Sequence, residues 1–250
     1  MSAYNPFSLK GKRILITGAS SGIGRAVSIE CSKMGATLVI TGRDKDRLNE
    51  SFLQLEGDNH VQITTDLCKI SELNYLLDQI RSLDGCVNNA GIVKTLPTQF
   101  ISESSLNEIL QINTIAPILL TQQLVKRKIM NKNSSIVFTS SISGVDVAVL
   151  GNVLYSTSKG AINGFVKNAA LDLASKNIRV NSVTPAMIKT QILKEGSISE
   201  EQLNDELKKY PLKRHGLPEE VAYAIIYLLS DAAAFVTGSN LLIDGGFTLL

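Results

Sequence analysis

The chain has 250 residues, 44% hydrophobic content and a formal net charge of +2 at neutral pH. This suits one large α/β domain spanning 1–250, and the charge is too small to indicate a nucleic-acid-binding surface. Three cysteines and two histidines without a C-x-x-C pattern predict free thiols and no metal site. Residues 1–10 lack a signal-peptide core, and no apolar run reaches the ~18 residues of a membrane span. These features predict a cytoplasmic protein that contacts no membrane.

Short apolar segments alternate with helical patterns along the whole chain. Strands are predicted, in chain order, at residues 13–17, 37–41, 61–65, 85–88, 135–139, 178–183 and 241–243. Helices are predicted between them at residues 22–34, 45–55, the segment with Leu73, Leu76, Leu77 and Ile80, then 103–130, 153–175, 199–209 and 219–229. Pro117 should kink or break the long helix, and Pro218 should begin the last one. The alternation predicts a Rossmann-type doubly wound parallel sheet of about seven strands, with helices on both faces.

A glycine-rich turn follows the first predicted strand. Its glycines have the spacing G-x3-G-x-G, one residue off the dinucleotide fingerprint G-x-G-x-x-G. Glycines at this junction let the backbone turn tightly, and the N–H groups that begin the next helix can bind a diphosphate. The alternative is a strand–helix turn without a ligand. Read as a cofactor site, the turn supplies Thr17, Gly18, Ser20, Ser21, Gly22, Ile23 and Gly24.

Two residues at the ends of predicted strands bear on the nucleotide. Arg43 follows the second strand, where an acidic residue would hold the ribose 2′-hydroxyl and an arginine would attract a 2′-phosphate. We therefore expect NADP(H) in preference to NAD(H), although Asp44 and the lack of a basic residue at Ser21 weaken this inference. Asp66, which ends the third strand, would either accept from the adenine amino group or cap the following helix. Both readings of Asp66 stay open.

Tyr155 and Lys159 lie four residues apart near the start of a predicted helix, so their side chains share one face. A free tyrosine has a pKa near ~10, and a neighbouring ammonium would lower it. The phenol would then serve as an acid/base for a carbonyl–alcohol couple. Tyr-x3-Lys alone is common and more often marks a helix surface pair. Ser141, just past the fifth strand, and Asn113, in the long helix, supply the context that favours catalysis.

Together these segments resemble the short-chain dehydrogenase/reductase family, in its compact single-domain branch that includes 3-oxoacyl reductases. The matching stretches run in order along nearly the whole chain, which makes the resemblance specific. They are Thr17-Gly-Ala-Ser-Ser-Gly-Ile-Gly24, Asp66, Asn88-Asn-Ala-Gly91, Asn113, Ser141, Tyr155-Ser-Thr-Ser-Lys159, Arg179-Val-Asn-Ser-Val-Thr-Pro185, and Thr237-Gly238 with Asp244-Gly-Gly246.

The resemblance implies a nicotinamide cofactor and four catalytic residues, Asn113, Ser141, Tyr155 and Lys159. Tyr155 would donate a proton when a ketone is reduced, and Ser141 would hold the substrate oxygen. Lys159 would bind the nicotinamide ribose and lower the pKa of Tyr155, while Asn113 would position a water that links Lys159 to solvent. The run from Ser141 to Gly144 fits the family spacing and favours Ser141 over its neighbours Ser140 and Ser143. Further cofactor contacts are implied for Leu67, Asn89, Ala90, Gly91, Pro185, Ile188 and Thr190.

The substrate side departs from the family pattern in two places. Ala186 stands where relatives commonly carry glycine, and the loop between Ser141 and Tyr155 looks about one residue longer. Residues 93–98, 142–152 and the substrate-loop segment 186–215 should form the pocket. Apolar side chains there suggest an uncharged or partly apolar carbonyl or alcohol.

A 3-oxoacyl chain on acyl carrier protein is one candidate substrate, and a small ketone, sugar or steroid alcohol, the last two with NAD, is another. Lys132 and Lys176 would be the carrier contacts, although a solvated surface is the alternative for both. The intact set of four residues argues against a non-catalytic sensor or scaffold. An epimerase or dehydratase would keep the same Tyr and Lys but usually has a larger C-terminal region. The resemblance also implies a homotetramer, paired through 103–130, 153–175 and the C-terminal strand region.

Overall fold

The computed structural model describes residues 4–190 and 207–250. Seven parallel strands form one sheet in the order β3-β2-β1-β4-β5-β6-β7. They are β1 Arg13–Thr17, β2 Thr37–Gly42, β3 Val61–Thr64, β4 Leu83–Asn88, β5 Met130–Thr139, β6 Arg179–Pro185 and β7 Asn240–Ile243. The strand order reverses between β1 and β4, so a ligand crevice is expected above their carboxyl ends. The predicted doubly wound sheet is confirmed.

Helices cover both faces of this sheet. Within the described ranges they are α1 Gly22–Lys33, α2 Lys45–Phe52, α3 Ile70–Asp78, α4 Glu103–Leu110, α5 Ala116–Lys126, α6 Val153–Ala174 and α7 Pro218–Leu229. Strand side chains alternate between the faces, so Ile14 and Ile16 pack with α1 and α7 while Leu15 packs with α3, α5 and α6. None of the described helices combines the length and apolar character that crossing a membrane requires.

The long helix predicted at 103–130 is broken into two helices near Pro117, and a π turn separates them. Helix α4 ends at Leu110, the five residues Gln111–Ile115 form a π turn, and α5 begins at Ala116. Pro117 lies in the first turn of α5 and has no N–H for the carbonyl of Asn113, four residues earlier. The wider π turn accommodates that missing bond. Asn113 therefore sits where the helix changes its hydrogen-bond pattern.

Other boundaries differ where local sequence carries little signal. β5 begins at Met130 instead of 135, because Met130 pairs with Leu83 and the polar residues 131–134 form an irregularity before Ser135 pairs with Gly85. β6 extends to Pro185, whereas α2 ends at Phe52 instead of 55. Of the small helix predicted at 199–209, residues 199–206 lie outside the described residues.

Two glycines in the β1–α1 turn are required for different reasons. Gly18 has a φ of +66°, and a Cβ there would lie 2.8 Å from Cα of Ala90. A Cβ on Gly24 would lie 2.1 Å from the carbonyl oxygen of Gly18 and 2.5 Å from Nδ2 of Asn89. The obstacle at Gly24 is mainly backbone, which cannot move aside cheaply. The turn, the start of α1 and the loop after β4 therefore fit together only without side chains at these points.

Replacing Gly24 with alanine should lower the free energy of unfolding by about 3 kcal/mol, because the new methyl group overlaps backbone. Urea denaturation followed by circular dichroism measures the loss. Ser21→Ala is the matched control, since the Ser21 side chain makes no capping hydrogen bond in the same turn. Equal stability of Gly24→Ala and wild type would contradict the close approach described here.

Candidate active site

A cavity of about 630 Å³ runs along the carboxyl edge of the sheet, above the reversal in strand order. Its nucleotide end, as we call it, is formed by residues that follow β1, β2 and β3, and its other end by residues of α6 and those that follow β5 and β6. The predicted cofactor residues that line it are Gly18, Ser20, Ser21, Gly22, Ile23, Arg43, Asp66, Leu67, Asn89, Ala90, Gly91, Tyr155, Lys159, Pro185, Ile188 and Thr190.

Two predicted cofactor residues lie behind the cavity wall and shape it. Thr17 is buried, and its hydroxyl accepts hydrogen bonds from the N–H groups of Asn89 at 3.0 Å and Ala90 at 3.1 Å. Gly24 packs against Gly18, as described above. Asp66 lines the cavity, as the adenine reading requires. The reading as a helix cap is wrong, because the N-cap of α3 is Lys69 and Oδ1 of Asp66 instead accepts from the N–H of Cys68 at 3.0 Å in the turn before the helix.

Ser141, Tyr155 and Lys159 meet at the other end of the cavity. The hydroxyl of Ser141 lies close enough to the phenol of Tyr155 to lower its pKa. Nζ of Lys159 donates to the carbonyl of Thr139 at 2.7 Å and lies 5.6 Å from the centroid of the Tyr155 ring. α6 presents the tyrosine and the lysine on one face, and the end of β5 brings Ser141 to them.

The neighbouring serines make other bonds. Ser140 donates to the carbonyl of Lys159 at 3.3 Å, and Ser143 accepts from Nδ2 of Asn152 at 3.2 Å. Of the three serines, Ser141 is the one that affects the pKa of Tyr155.

Asn113 does not line the cavity. Its Oδ1 accepts from the N–H of Ile92 at 2.8 Å, while its Nδ2 donates to the Ile92 carbonyl at 2.9 Å and to Oγ of Ser158 at 3.1 Å. A Cβ built on Gly91 would lie 3.1 Å from Asn113 Oδ1 and 3.7 Å from Lys159 Nζ. Asn113 thus holds the loop after β4 against α6, directly behind the lysine.

Burial shifts the pKa values of the two titratable groups in opposite directions. Lys159 is only 6% exposed, and loss of solvation lowers its pKa from 10.5 to about 8. Burial raises the pKa of Tyr155, and the Ser141 hydroxyl opposes that rise. On the sequence alone, Lys159 is expected to lower the pKa of Tyr155. Among the protein's own groups burial dominates instead, because the ammonium bonds Thr139 and not the phenol.

The nucleotide end has the chemistry that a dinucleotide requires. Ser21, the N-cap of α1, makes no side-chain bond to the first-turn N–H groups, and no acidic residue lies in that turn. These amides and the positive end of the helix dipole are available to a diphosphate. The buried hydroxyl of Thr139 lines the cavity without a hydrogen-bond partner among the described residues. The residues present therefore fit a nicotinamide dinucleotide.

Several lining residues were missed by sequence reasoning. Thr41, Thr65 and Thr139 stand at or just past the ends of strands, so the rule that ligands sit at the carboxyl edge could have found them. Arg47 and Phe247 carry no such signal, because each reaches the cavity from a neighbouring turn. Across the two described ranges, no group of three or more His, Cys, Asp or Glu side chains could hold a metal ion.

The two lysines predicted to contact a carrier protein lie far from the opening. Lys132 is near the start of β5 and Lys176 precedes β6, which places both at the amino edge of the sheet. Both side chains are exposed. The cavity opens at the carboxyl edge. Within one chain, the surface alternative therefore describes both residues better.

A doubly wound sheet with a dinucleotide crevice and a Ser–Tyr–Lys cluster defines an NAD(P)-dependent oxidoreductase acting on CH–OH groups. A family model described as enoyl-(acyl carrier protein) reductase matches residues 18–248. The chain belongs to the short-chain dehydrogenase/reductase family.

Curated relatives and solved structures agree with this assignment. The chain is 35% identical over 247 residues to 3-oxoacyl-(acyl-carrier-protein) reductase FabG of Thermotoga maritima, covering 96% of this chain and 99% of the relative. It is 33% identical to a tropinone reductase homolog of Arabidopsis thaliana, covering 97% and 93%. A short-chain type dehydrogenase/reductase from Mycobacterium marinum superposes with a TM-score of 0.87 at 31% identity, covering 98% of each chain.

The lowered pKa of Lys159 predicts a pH-dependent stability. Below pH ~8 the folded chain holds a buried ammonium that the unfolded chain leaves in water. Because an unfolded lysine keeps its proton up to its ordinary pKa of 10.5, the free energy of unfolding should rise between about pH 8 and pH 10.5. Relative to that of Lys159→Met, the free energy of unfolding of wild type should increase by up to about 3 kcal/mol over this pH range.

Denaturant titrations of both proteins at pH 7.5 and pH 10 measure this difference. The protonation of all other ionisable groups affects both proteins alike and cancels. Lys167→Met removes an exposed lysine from the same helix and serves as the control. If the stability difference between wild type and Lys159→Met stays constant with pH, burial of the charged Lys159 side chain does not lower the stability of the folded chain.

Proposed function

We propose that the protein reduces a ketone to a secondary alcohol with NADPH, and that Tyr155 donates the proton. The observation that carries this proposal is that Ser141 and Tyr155 meet in the cavity beside a buried Lys159, whose Nζ lies 5.6 Å from the tyrosine ring. These three residues stand at one end of a cavity whose other end begins at a diphosphate-binding turn. The chain would act as one domain, 1–250, with 186–215 as its substrate loop.

Each residue has a role that follows from its contacts. NADP(H), when bound, supplies the hydride. Ser141 would hold and polarise the substrate oxygen, since its hydroxyl already lies at the phenol. Tyr155 has a raised pKa, so it carries a proton at neutral pH and suits the reductive direction. Lys159 would use N–H groups beyond the Thr139 bond for the ribose hydroxyls, and its charge would stabilise the phenolate left after proton transfer.

Asn113 would act through its backbone carbonyl. This carbonyl lies in the π turn, four residues before Pro117, which has no N–H to donate to it. That carbonyl is suited to hold a water that passes protons between Lys159 and solvent.

Arg43 supports NADP(H) as the preferred cofactor. It lines the nucleotide end and makes no hydrogen bond or ion pair with another described residue. The position where an acid would hold the ribose is occupied by Gly42. Asp44, the nearest carboxylate in the chain, is engaged by the backbone and side chain of Arg47. A 2′-phosphate would therefore meet an available guanidinium at this end of the cavity.

The cavity end opposite the nucleotide end, which we call the substrate end, has a chemistry that supports an uncharged or partly apolar carbonyl. Apart from Lys159, the charged residues among the described lining lie at the nucleotide end. The substrate end is lined by Ile92, Val93, Ile142, Val149, Met187, Tyr210 and Phe247. The FabG relatives are named for 3-oxoacyl groups on acyl carrier protein, which makes a 3-oxoacyl thioester the first substrate to test. The tropinone reductase homolog keeps a small ketone as the second.

We also propose a cytoplasmic homotetramer that binds neither nucleic acid nor membrane. Ile115, Leu119 and Leu171 are exposed on the π turn, α5 and α6, and the last two leucines of the chain are exposed as well. These apolar side chains favour burial between copies. The three cysteines are free thiols, as expected in a reducing compartment, and cell fractionation would test the location.

Tyr155→Phe should lower ketone reduction at least about 100-fold, since the proton donor is lost, and leave NADPH binding within about twofold. Turnover is followed at the nicotinamide absorbance against 3-oxoacyl thioesters and small ketones, and binding by calorimetry. Ser140→Ala is the control, because that hydroxyl bonds a backbone carbonyl. Unchanged turnover in Tyr155→Phe would contradict the catalytic role of Tyr155. Absence of NADPH binding by wild type would contradict the cofactor assignment.

Light scattering tests the assembly. A homotetramer of this 27.0 kDa chain has four times that mass, and we expect that species at micromolar concentration. A measured mass equal to that of one chain would refute the tetramer without touching the catalytic proposal.

A further inference from the structure

We propose that Arg47 is a second cation, beside Arg43, that selects cofactors carrying a 2′-phosphate, and that Asp44 holds it in position. The inference rests on the proposed preference for NADP(H) and names a residue that determines it.

The carboxylate of Asp44 fixes both the backbone and the side chain of Arg47. Asp44 is the N-cap of α2, and its Oδ1 accepts from the N–H of Arg47 at 3.0 Å. Its Oδ2 accepts from Nε of the same arginine at 2.6 Å. The terminal nitrogens of Arg47 have no hydrogen-bond partner within residues 4–190 and 207–250. The guanidinium is thus held at one edge while its outer donors stay available.

The first turn of α2 is also fixed to the glycine-rich turn. Arg25 donates to the carbonyl of Ser20 at 2.8 Å and to the carbonyl of Arg47 at 3.2 Å. Its Nε donates to the hydroxyl of Ser51 at 2.8 Å. Because one guanidinium joins both segments, the backbone that carries Arg47 is placed relative to the diphosphate turn before any ligand arrives. Preorganisation of this kind lowers the cost of binding.

The charges at the nucleotide end favour a phosphate over a free hydroxyl. Arg43, Asp44 and Arg47 all line this end, next to Ser20 and Gly42. The hydrogen bonds from Arg47 hold the pKa of Asp44 below its usual value, so the carboxylate stays ionised and paired. A carboxylate with both oxygens engaged is a poor acceptor for a ribose hydroxyl. After β2, two guanidinium groups stand against one carboxylate that is already paired, which suits a phosphate dianion. The other carboxylate of the nucleotide end, Asp66, follows β3.

Calorimetric titration of the full chain with NADPH and with NADH tests this role without a substrate. Arg47→Gln should raise the Kd for NADPH about tenfold, because it removes charge-assisted hydrogen bonds to phosphate, and change the Kd for NADH less than about twofold. The variant should fold, since the capping bond uses the backbone N–H of residue 47. Lys45→Gln, which removes one positive charge from the same helical turn outside the cavity lining, should change both Kd values less than about threefold.

The outcomes separate this role from the proposed function. If Arg47→Gln keeps the NADPH preference of wild type, or if Lys45→Gln loses it equally, Arg47 has no selective role and the reductase proposal is untouched. If wild type binds NADH more tightly than NADPH, both the cofactor preference and the role of Arg47 are wrong. Loss of NADPH affinity in Arg47→Gln alone supports the inference.

Discussion

The contact on which the site depends is made by backbone against backbone, where the glycine-rich turn meets the loop after β4. A Cβ on Gly18 would reach Cα of Ala90, and one on Gly24 would overlap the carbonyl of Gly18. Thr17 closes the junction by accepting from two consecutive N–H groups of that loop. The loop then runs on to Ile92, where the Asn113 amide holds it. One close approach therefore sets the spacing between the diphosphate end and the catalytic end of the cavity.

Burial of Lys159 gives the catalytic end its electrostatic character. The ammonium is almost fully removed from water and bonds a single carbonyl, so its proton is held less tightly than in solution. The nearby phenol, also desolvated, holds its proton more tightly. The two pKa values therefore move apart, with that of Lys159 below that of Tyr155. In the proposed reaction this favours transfer of a proton from the lysine side to the phenolate that Tyr155 leaves after donating its own.

The sequence predicted the parts of this molecule that depend on local patterning. Apolar runs located all seven strands, and the glycine spacing with the Tyr–Lys pair located both ends of the cavity. It did not predict the start of β5, because residues 131–134 are polar and lie in the irregularity between the pairs Leu83–Met130 and Gly85–Ser135. It predicted that Pro117 kinks or breaks the long helix, but not that the interruption takes the form of a π turn around Asn113. Arg47 went unnoticed for a similar reason, since its place at the cavity follows from how Arg25 ties α2 to the turn. Tertiary contacts decide these features, and no window of sequence contains them.

The chain returns to the cavity at its last residues. Asp244 accepts from the N–H groups of Gly246 and Thr248, and this bend puts Phe247 on the cavity wall and against the ring of Tyr210. The opposite terminus leads through Lys12 into the amino end of β1, at the far edge of the sheet. An affinity tag for purification is therefore better fused ahead of Met1, since a peptide extending from Leu250 would begin three residues from the substrate opening.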